Sequence, residues 1–321
     1  MGRLAAPVPM RVLVTGAAGF IGSHLVERLA ADGHRVIGLD DLSTGSLKNL
    51  TEARKSKALA FHRFDITSSD LGALVSRARP DVVYHLAAQM DVRKSVLDPL
   101  DDTRTNVLGT VNVLEACVRA EVSRVVFASS GGTVYGEPSA LPVTERAGLA
   151  PASPYGAAKV AGETYVEAYR RLHGLPGAVL RLGNVYGPRQ DPHGEAGVVA
   201  IFARAMTRGK VARIFGDGSS RRDYVHVEDV VDAFLMCLGG KGDGRRLNIG
   251  SGVATTVREL HTLVAAAATV ADAPEFAPVR PGELQAIALD SSAARRALGW
   301  EASTPLDEGL AETVAWVAAQ R

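Results

Sequence analysis

Through the first half of the chain, short apolar runs closed by small or acidic residues alternate with stretches of amphipathic periodicity. Residues 12–14, 36–39 and 125–127 are apolar at consecutive positions, and 59–64 and 82–86 are apolar runs interrupted by His62-Arg63 and His85. That is the pattern of strands buried on both faces in a parallel sheet. A helix beginning near Phe20, a short helical stretch over 46–55, and helices over 71–78, 103–120 and 154–172 fall between or after them, with apolar positions three and four apart. Such alternation predicts an α/β fold: a doubly wound parallel sheet with right-handed crossovers and helices on both faces. Further on, strands near 178–182 and 247–249 are expected to join the same sheet, and helices are expected over 258–268 and 305–319. The pattern divides the chain into a doubly wound domain over 1–180 and a smaller domain, mainly 181–321. The second is built from 194–213 and much of 251–321, with the chain crossing between the two more than once.

The first strand runs into Gly16-Ala17-Ala18-Gly19-Phe20-Ile21-Gly22. Gly16 suits a tight turn, Gly19 admits a pyrophosphate to the backbone, and Gly22 lets the following helix pack on the strand. The free N–H groups of that helix then face the anion. Eighteen residues past Gly22 the next strand ends in Asp40, placed for a ribose 2′-hydroxyl. Asp40 and Asp41 would repel a 2′-phosphate, and no arginine follows to accept one. The cofactor expected is NAD, which makes residues 1–180 an NAD-binding Rossmann domain.

Composition narrows the partners. The 321 residues carry 36 basic and 35 acidic side chains, so nothing favours nucleic acid or an anionic membrane. An apolar fraction of 46% is ample for a core, and no run is long and uncharged enough to span a bilayer. Residues 1–9 lack the apolar length of a secretory signal. Cys117 and Cys237 sit in apolar helical patterns without metal-ligand neighbours, as buried thiols of a reducing compartment do. A cytoplasmic protein without a metal is expected.

In a doubly wound sheet, ligands sit beyond the carboxyl ends of the strands. Those positions hold Asp40, Asp65, Ala87-Ala88-Gln89 and Ser129-Ser130-Gly131-Gly132-Thr133. Asp65 reads equally as a turn or helix-capping residue. Further on, Ser153-Pro154-Tyr155-Gly156-Ala157-Ala158-Lys159 starts a helix with proline in its first turn. Tyr155 and Lys159, four apart, share one face. A nearby ammonium and an oxidised nicotinamide favour the tyrosinate, which can take a hydroxyl proton while hydride leaves the same carbon.

The Gly16–Gly22 turn, the Tyr155/Lys159 pair and the serine-rich end of the fifth strand resemble an extended short-chain dehydrogenase/reductase. Val134-Tyr135-Gly136, Gly183-Asn184-Val185-Tyr186-Gly187-Pro188, Phe215-Gly216-Asp217-Gly218, Arg222-Asp223-Tyr224-Val225-His226-Val227 and Arg280-Pro281-Gly282-Glu283 are similar to the UDP-glucose 4-epimerase branch of that family. The resemblance runs from Arg11 to about Trp300. It implies that Gly16, Gly19, Phe20, Ile21 and Gly22 hold the NAD pyrophosphate and Asp40 the adenosine ribose, with Asp41, Ser43, Thr44 and Gly45 beside it. Asp65 and Ile66 would flank the adenine. Leu86, Ala87, Ala88, Gln89, Asn106 and Val185 would line the rest of the groove. Tyr155 would transfer the proton and Lys159 would bind the ribose. On the substrate, a UDP-sugar, the resemblance implies Thr133, Tyr155, Asn184, Arg189, Arg213, Arg222 and Arg280, as arginine suits diphosphate. It also implies a homodimer paired through helices 103–120 and 154–172.

The reaction implied is NAD-dependent inversion at C4. Tyr155 takes the C4 hydroxyl proton as hydride leaves, the 4-keto sugar rotates about its anchored diphosphate, and hydride returns to the opposite face. One departure stands out: the family's serine or threonine four residues before the tyrosine of Val-Tyr-Gly is Gly131 here, so Ser130, Thr133 or a water must supply that hydroxyl. Gly132 and Thr133 stand where a 4,6-dehydratase carries its acid pair, which argues against that reaction. UDP-glucose/UDP-galactose and UDP-glucuronate/UDP-galacturonate remain open as substrate pairs, Arg93 or Arg189 being able to face a uronate carboxylate. The same motifs also suit a decarboxylase of the family or a non-catalytic NAD-binding regulator, and the intact Tyr155/Lys159 pair opposes the latter.

Overall fold

The computed structural model describes residues 9–192, 197–279 and 284–320. In chain order the first elements are β1 (Arg11–Thr15), α1 (Phe20–Ala31), β2 (Arg35–Asp40), α2 (Thr51–Lys55), β3 (Leu59–Arg63), α3 (Leu71–Ala78) and β4 (Val82–His85). Helices α4 (Val92–Leu97), α5 (Pro99–Thr103) and α6 (Gly109–Arg119) follow, with one π-helical turn, Arg104–Leu108, between α5 and α6. Then come β5 (Arg124–Ser130), the single turn α7 (Gly131–Val134), the long α8 (Pro154–His173), β6 (Gly177–Leu182) and β7 (Asn184–Tyr186). The remainder is α9 (Val198–Thr207), β8 (Arg213–Phe215), β9 (Arg221–His226), α10 (Val227–Met236), β10 (Arg246–Ile249), β11 (Ala254–Thr256), α11 (Val257–Ala267), β12 (Glu275–Ala277), α12 (Ser292–Leu298) and α13 (Leu306–Ala319).

Seven strands form one parallel sheet in the order β10-β6-β5-β4-β1-β2-β3. The chain reverses direction across the sheet between β1 and β4, which opens a crevice at their carboxyl ends. Alternate residues of β1 face opposite sides. Val12 and Val14 pack with Leu25, Leu29 and Phe234 on one face, while Leu13 packs with Val83, Phe127 and Leu114 on the other. Each such buried aliphatic side chain contributes roughly 1.5–3 kcal/mol relative to an exposed one.

The expected boundary at residue 180 falls inside β6, and β10 returns to the sheet from the second half. A separate core unites Phe202, Met206, Ile214, Leu260, Val264, Leu310 and Val314 from α9, β8, α11 and α13. The sequence pattern predicts one helix over 103–120; the structure breaks it at the π-helical turn. No described helix is long and apolar enough to cross a membrane.

Candidate active site

The turn after β1 is shaped by what cannot fit there. Gly16 has φ +71°, and a Cβ on it would stand 2.8 Å from the Ala87 amide nitrogen. A Cβ on Gly22 would strike the Gly16 carbonyl oxygen, so α1 lies flush against the turn. The α1 N-terminus has no side-chain cap and no acid in its first turn, leaving its N–H groups and positive end toward the crevice. Phe20 and Ile21 are half-buried in that first turn.

Asp40, at the end of β2, is buried and oriented by the backbone. Its Oδ2 accepts from Ala18 N at 2.9 Å and its Oδ1 from Leu42 N at 2.8 Å. Burial raises its pKa, and these amide bonds oppose the rise. Gly45 passes close by, where a Cβ would lie 2.7 Å from Asp40 Oδ1. Asp41 is exposed and accepts from Ser43 N and Oγ, while Thr44 is exposed beside it. Asp65 is exposed and acts as a turn residue, its Oδ1 accepting from Thr67 N and Oγ1; Ile66 is buried behind it.

Across the crevice, half-buried Leu86, Ala87, Ala88 and Gln89 follow β4. Thr15 Oγ1 accepts from Ala87 N at 3.2 Å and meets His85 Nδ1 at 2.8 Å; His85 Nε2 meets Thr110 Oγ1 at 3.0 Å. Thr110 Oγ1 donates to Asn106 O at 2.7 Å, so it must accept from Nε2–H and Nδ1 must be the acceptor. His85 is therefore a neutral strut between the glycine turn and the π-helical turn. Burial pushes its pKa down to about 3. Asn106, buried in that turn, clasps Gln89: its Oδ1 accepts from Gln89 N at 2.9 Å and its Nδ2 donates to Gln89 O at 2.8 Å. Val185 lies half-buried on β7.

The chemistry-bearing pair stands at the carboxyl end of β5. Ser153 caps α8 through the Gly156 amide, and Pro154 occupies the first helical position. One turn apart, Tyr155 and Lys159 meet with the ammonium 5.6 Å from the phenol ring centre. Lys159 is buried, donates to Ala128 O at 3.0 Å and lies 5.1 Å from the centre of the Phe127 ring. Burial lowers its pKa to about 8. Enclosure of the phenol hydroxyl pushes Tyr155 up to about 12, with Ser130 as its hydrogen-bonding neighbour working the other way. Leu289 occupies the space a side chain on Gly131 would need, its Cδ1 being 2.5 Å from that Cβ position. The hydroxyl beside Tyr155 thus comes from Ser130, whereas Thr133 Oγ1 turns back to Ser130 O at 3.5 Å.

On the far side, Asn184 Oδ1 lies 3.6 Å from a Cβ placed on Gly132, and Ser130 Oγ lies 3.9 Å from it. Asn184 and Ser130 therefore border the same space. Arg222 is half-buried on β9, with Nη1 donating to Arg221 O. Arg213 is exposed on β8 and pairs with Glu275 at 3.2 Å. Arg189, which the resemblance assigns to the substrate, meets α1 here. Its Nη2 pairs with Glu27 Oε2 at 2.6 Å and its Nη1 meets Ser23 Oγ at 3.3 Å, which spends the guanidinium on α1. Arg280 and its Arg-Pro-Gly-Glu motif lie outside the described residues.

Residues 12–250 match the NAD dependent epimerase/dehydratase family. The UDP-glucose 4-epimerase of Mycolicibacterium smegmatis is 54% identical over 305 residues, 95% of this chain and 97% of that protein. The chain belongs to the NAD dependent epimerase/dehydratase family.

Solved structures of such epimerases superpose closely. The UDP-glucose 4-epimerase of Thermotoga maritima with UDP-glucose is 44% identical with a TM-score of 0.92, covering 96% of this chain and 98% of that one. The Thermus thermophilus UDP-glucose 4-epimerase in complex with NAD is 43% identical with a TM-score of 0.90, covering 97% and 100%. The crevice fits the family's cofactor. Side-chain-free backbone at Gly16 and Gly22, the uncapped α1 terminus and the carboxylate of Asp40 supply what a pyrophosphate and an unphosphorylated ribose require.

Four side chains of this epimerase-family site went unread in the sequence. Glu163, one turn beyond Lys159, receives Ser129 Oγ at 2.6 Å and a bidentate bond from Arg181. Arg181 Nη1 reaches Tyr135 OH at 2.8 Å, and Tyr135 donates to Asn248 Oδ1 at 2.6 Å. Asp102 accepts from Gln89 Nε2 and Asn106 Nδ2, both at 2.9 Å. The remaining one is His85. Only Glu163 left a sequence signal, its four-residue spacing from Lys159.

Proposed function

We propose that the chain interconverts UDP-glucose and UDP-galactose by inverting C4 of the hexose, with NAD retained in the crevice. The observation that carries this reading is the half-buried Tyr155 phenol, with Lys159 5.6 Å from its ring centre and Ser130 against its hydroxyl, at the strand end facing the cofactor crevice. The 54% identical relative named UDP-glucose 4-epimerase supports the choice of sugar.

In this reading, Gly16, Gly19 and Gly22 hold the cofactor pyrophosphate, Asp40 its adenosine ribose, and Lys159 the second ribose. NAD, when bound, supplies a hydride acceptor and later a donor at the sugar carbon. The phenol of Tyr155 takes the C4 hydroxyl proton and returns it after the ring has turned over, and Ser130 steadies the reacting oxygen. The ammonium and the cofactor's positive charge would oppose the burial that holds the phenol at about 12. Asn184 and Arg222, with Arg280, anchor the diphosphate while the sugar stays loosely held, as rotation demands. Arg189, paired with Glu27, is left out of this set.

Incubation with UDP-glucose and separately with UDP-glucuronate, followed by chromatographic separation, tests the proposal. UDP-galactose should form from the first. Epimerisation of the uronate alone would replace the substrate, and no epimer from either would overturn the reading.

The proposal includes a homodimer of cytoplasmic enzyme. Leu97, Leu100 and Leu108 are exposed on elements that pack against α8, which itself exposes Tyr165 and Leu172. An exposed apolar face of this kind suits a second copy. Light scattering at micromolar concentration should give twice the subunit mass.

A further inference from the structure

Asp102 is a carboxylate sealed inside the site with half of its bonding capacity unused. It is 1% exposed. Its Oδ1 is held from two sides by Gln89 Nε2 and Asn106 Nδ2, while its Oδ2 has no partner among the described residues. The Lys159 ammonium, on the helix packed against α5, donates to Ala128 O and carries two further N–H groups. Asp102 brings an unspent acceptor, and Lys159 unspent donors of opposite charge, to two helices that pack on each other, and each charge acts on the other. A buried cation and a buried anion are stable there only in each other's company.

We propose that Asp102 is the counter-charge of the Tyr155–Lys159 pair, a positioning residue that keeps the Lys159 ammonium charged beside the phenol. The groups facing Lys159 support this. From α5 comes Asp102; from its own helix, Tyr155 and Glu163; from β4, His85, which is neutral; from β5, the Phe127 ring and the Ala128 carbonyl. Glu163 is committed to Arg181, Arg246 and Ser129. Asp101, next to Asp102, is committed to Lys94 at 2.8 Å. Asp102 is the anion that remains. Its charge raises the Lys159 pKa against burial, and it raises that of Tyr155 as well. Asn106, four residues along the chain, keeps the carboxylate in place by bonding Asp102 and Gln89 at once.

The turnover consequences rest on the epimerase reading, but the electrostatic claim is tested without turnover. The chain has seven lysines, few enough to assign in the NMR spectrum of protein labelled with ¹³C at the lysine Cε. In the unaltered protein the Lys159 signal should titrate near 8. Asp102→Asn keeps the size and one acceptor oxygen for Gln89 and Asn106 while removing the charge, and should lower that midpoint by about one pH unit or more. Asp102→Ser should do the same if the amide variant does not fold, and Asp102→Glu should leave the midpoint close to its original place. In epimerase assays both limbs of the pH profile should move to lower pH in Asp102→Asn, because the phenol ionises and the ammonium discharges sooner. A packing role would lower the amplitude and leave the limbs in place. A Lys159 midpoint that stays put or rises in the uncharged variants would overturn the proposal. A shifted midpoint in a protein inactive on every UDP-sugar would uphold it and reject the epimerase reading instead.

Discussion

Arg181 and Glu163 meet in a bidentate ion pair beneath the active site, Nε to Oε1 at 2.9 Å and Nη2 to Oε2 at 2.6 Å, each side chain at most 2% exposed. The pair joins β6 to α8 one turn past Lys159, and Ser129 bonds to the same carboxylate next to Ser130. Removing one partner strands the other charge in a dry interior. Arg181→Met should therefore cost about 3–5 kcal/mol of stability, measured by urea unfolding. A loss below about 1 kcal/mol would mean that Arg246, 3.3 Å from Glu163, neutralises the carboxylate alone.

Acid should loosen the protein through His85. Its folded pKa of about 3 lies below the ordinary 6.5, so the unfolded chain binds the extra proton first. Its stabilising contribution is complete above about pH 6.5 and is lost as pH falls toward 3, by about 1.4 kcal/mol per pH unit. Denaturant midpoints from pH 7 to 4 should fall more steeply for the natural protein than for His85→Gln. Parallel curves would clear the imidazole of this role.

Tyr155→Phe should keep its NAD and lose turnover by about 10²–10⁴-fold, the usual worth of a positioned acid–base group. Nucleotide released from the denatured variant and progress curves with UDP-glucose check the two halves separately. Near-natural rates would remove the phenol from proton transfer.

Asp40→Asn should weaken NAD binding about 10- to 100-fold, since a charge-assisted hydrogen bond is worth about 1.5–3 kcal/mol. Discrimination against NADP should shrink at the same time. Fluorescence titration of stripped protein with both nucleotides measures this, and unchanged affinities would place the ribose elsewhere.

Much of this site was legible because its signals are local. The Gly16–Gly22 turn, the acid at the end of the second strand and the Tyr155/Lys159 spacing each occupy one stretch of chain whose geometry follows from backbone rules. What stayed hidden depends on partners brought together by folding. The sequence cannot announce that Arg189 meets Glu27, 162 positions away, or that Leu289 fills the space beside Gly131. Amphipathic periodicity over 103–120 looks continuous because a π-helical turn displaces the pattern by only one residue. The interleaving of the two halves follows the same logic: β10 lies well past residue 180 in the chain yet pairs with β6, because pairing and not chain position decides which sheet a strand joins.

That extra residue between Arg104 and Leu108 makes the region unusually intolerant of shortening. Deleting Thr105 would heal the ladder into uninterrupted α-helix and swing the neighbouring side chains by about 100° around the axis. Asn106 would lose its grip on Gln89, and Asp102 would be carried off the site although every atom of its carboxylate remained. An enzyme crippled by one missing amino acid in a helix that had become more regular would show irregularity there to be a working part.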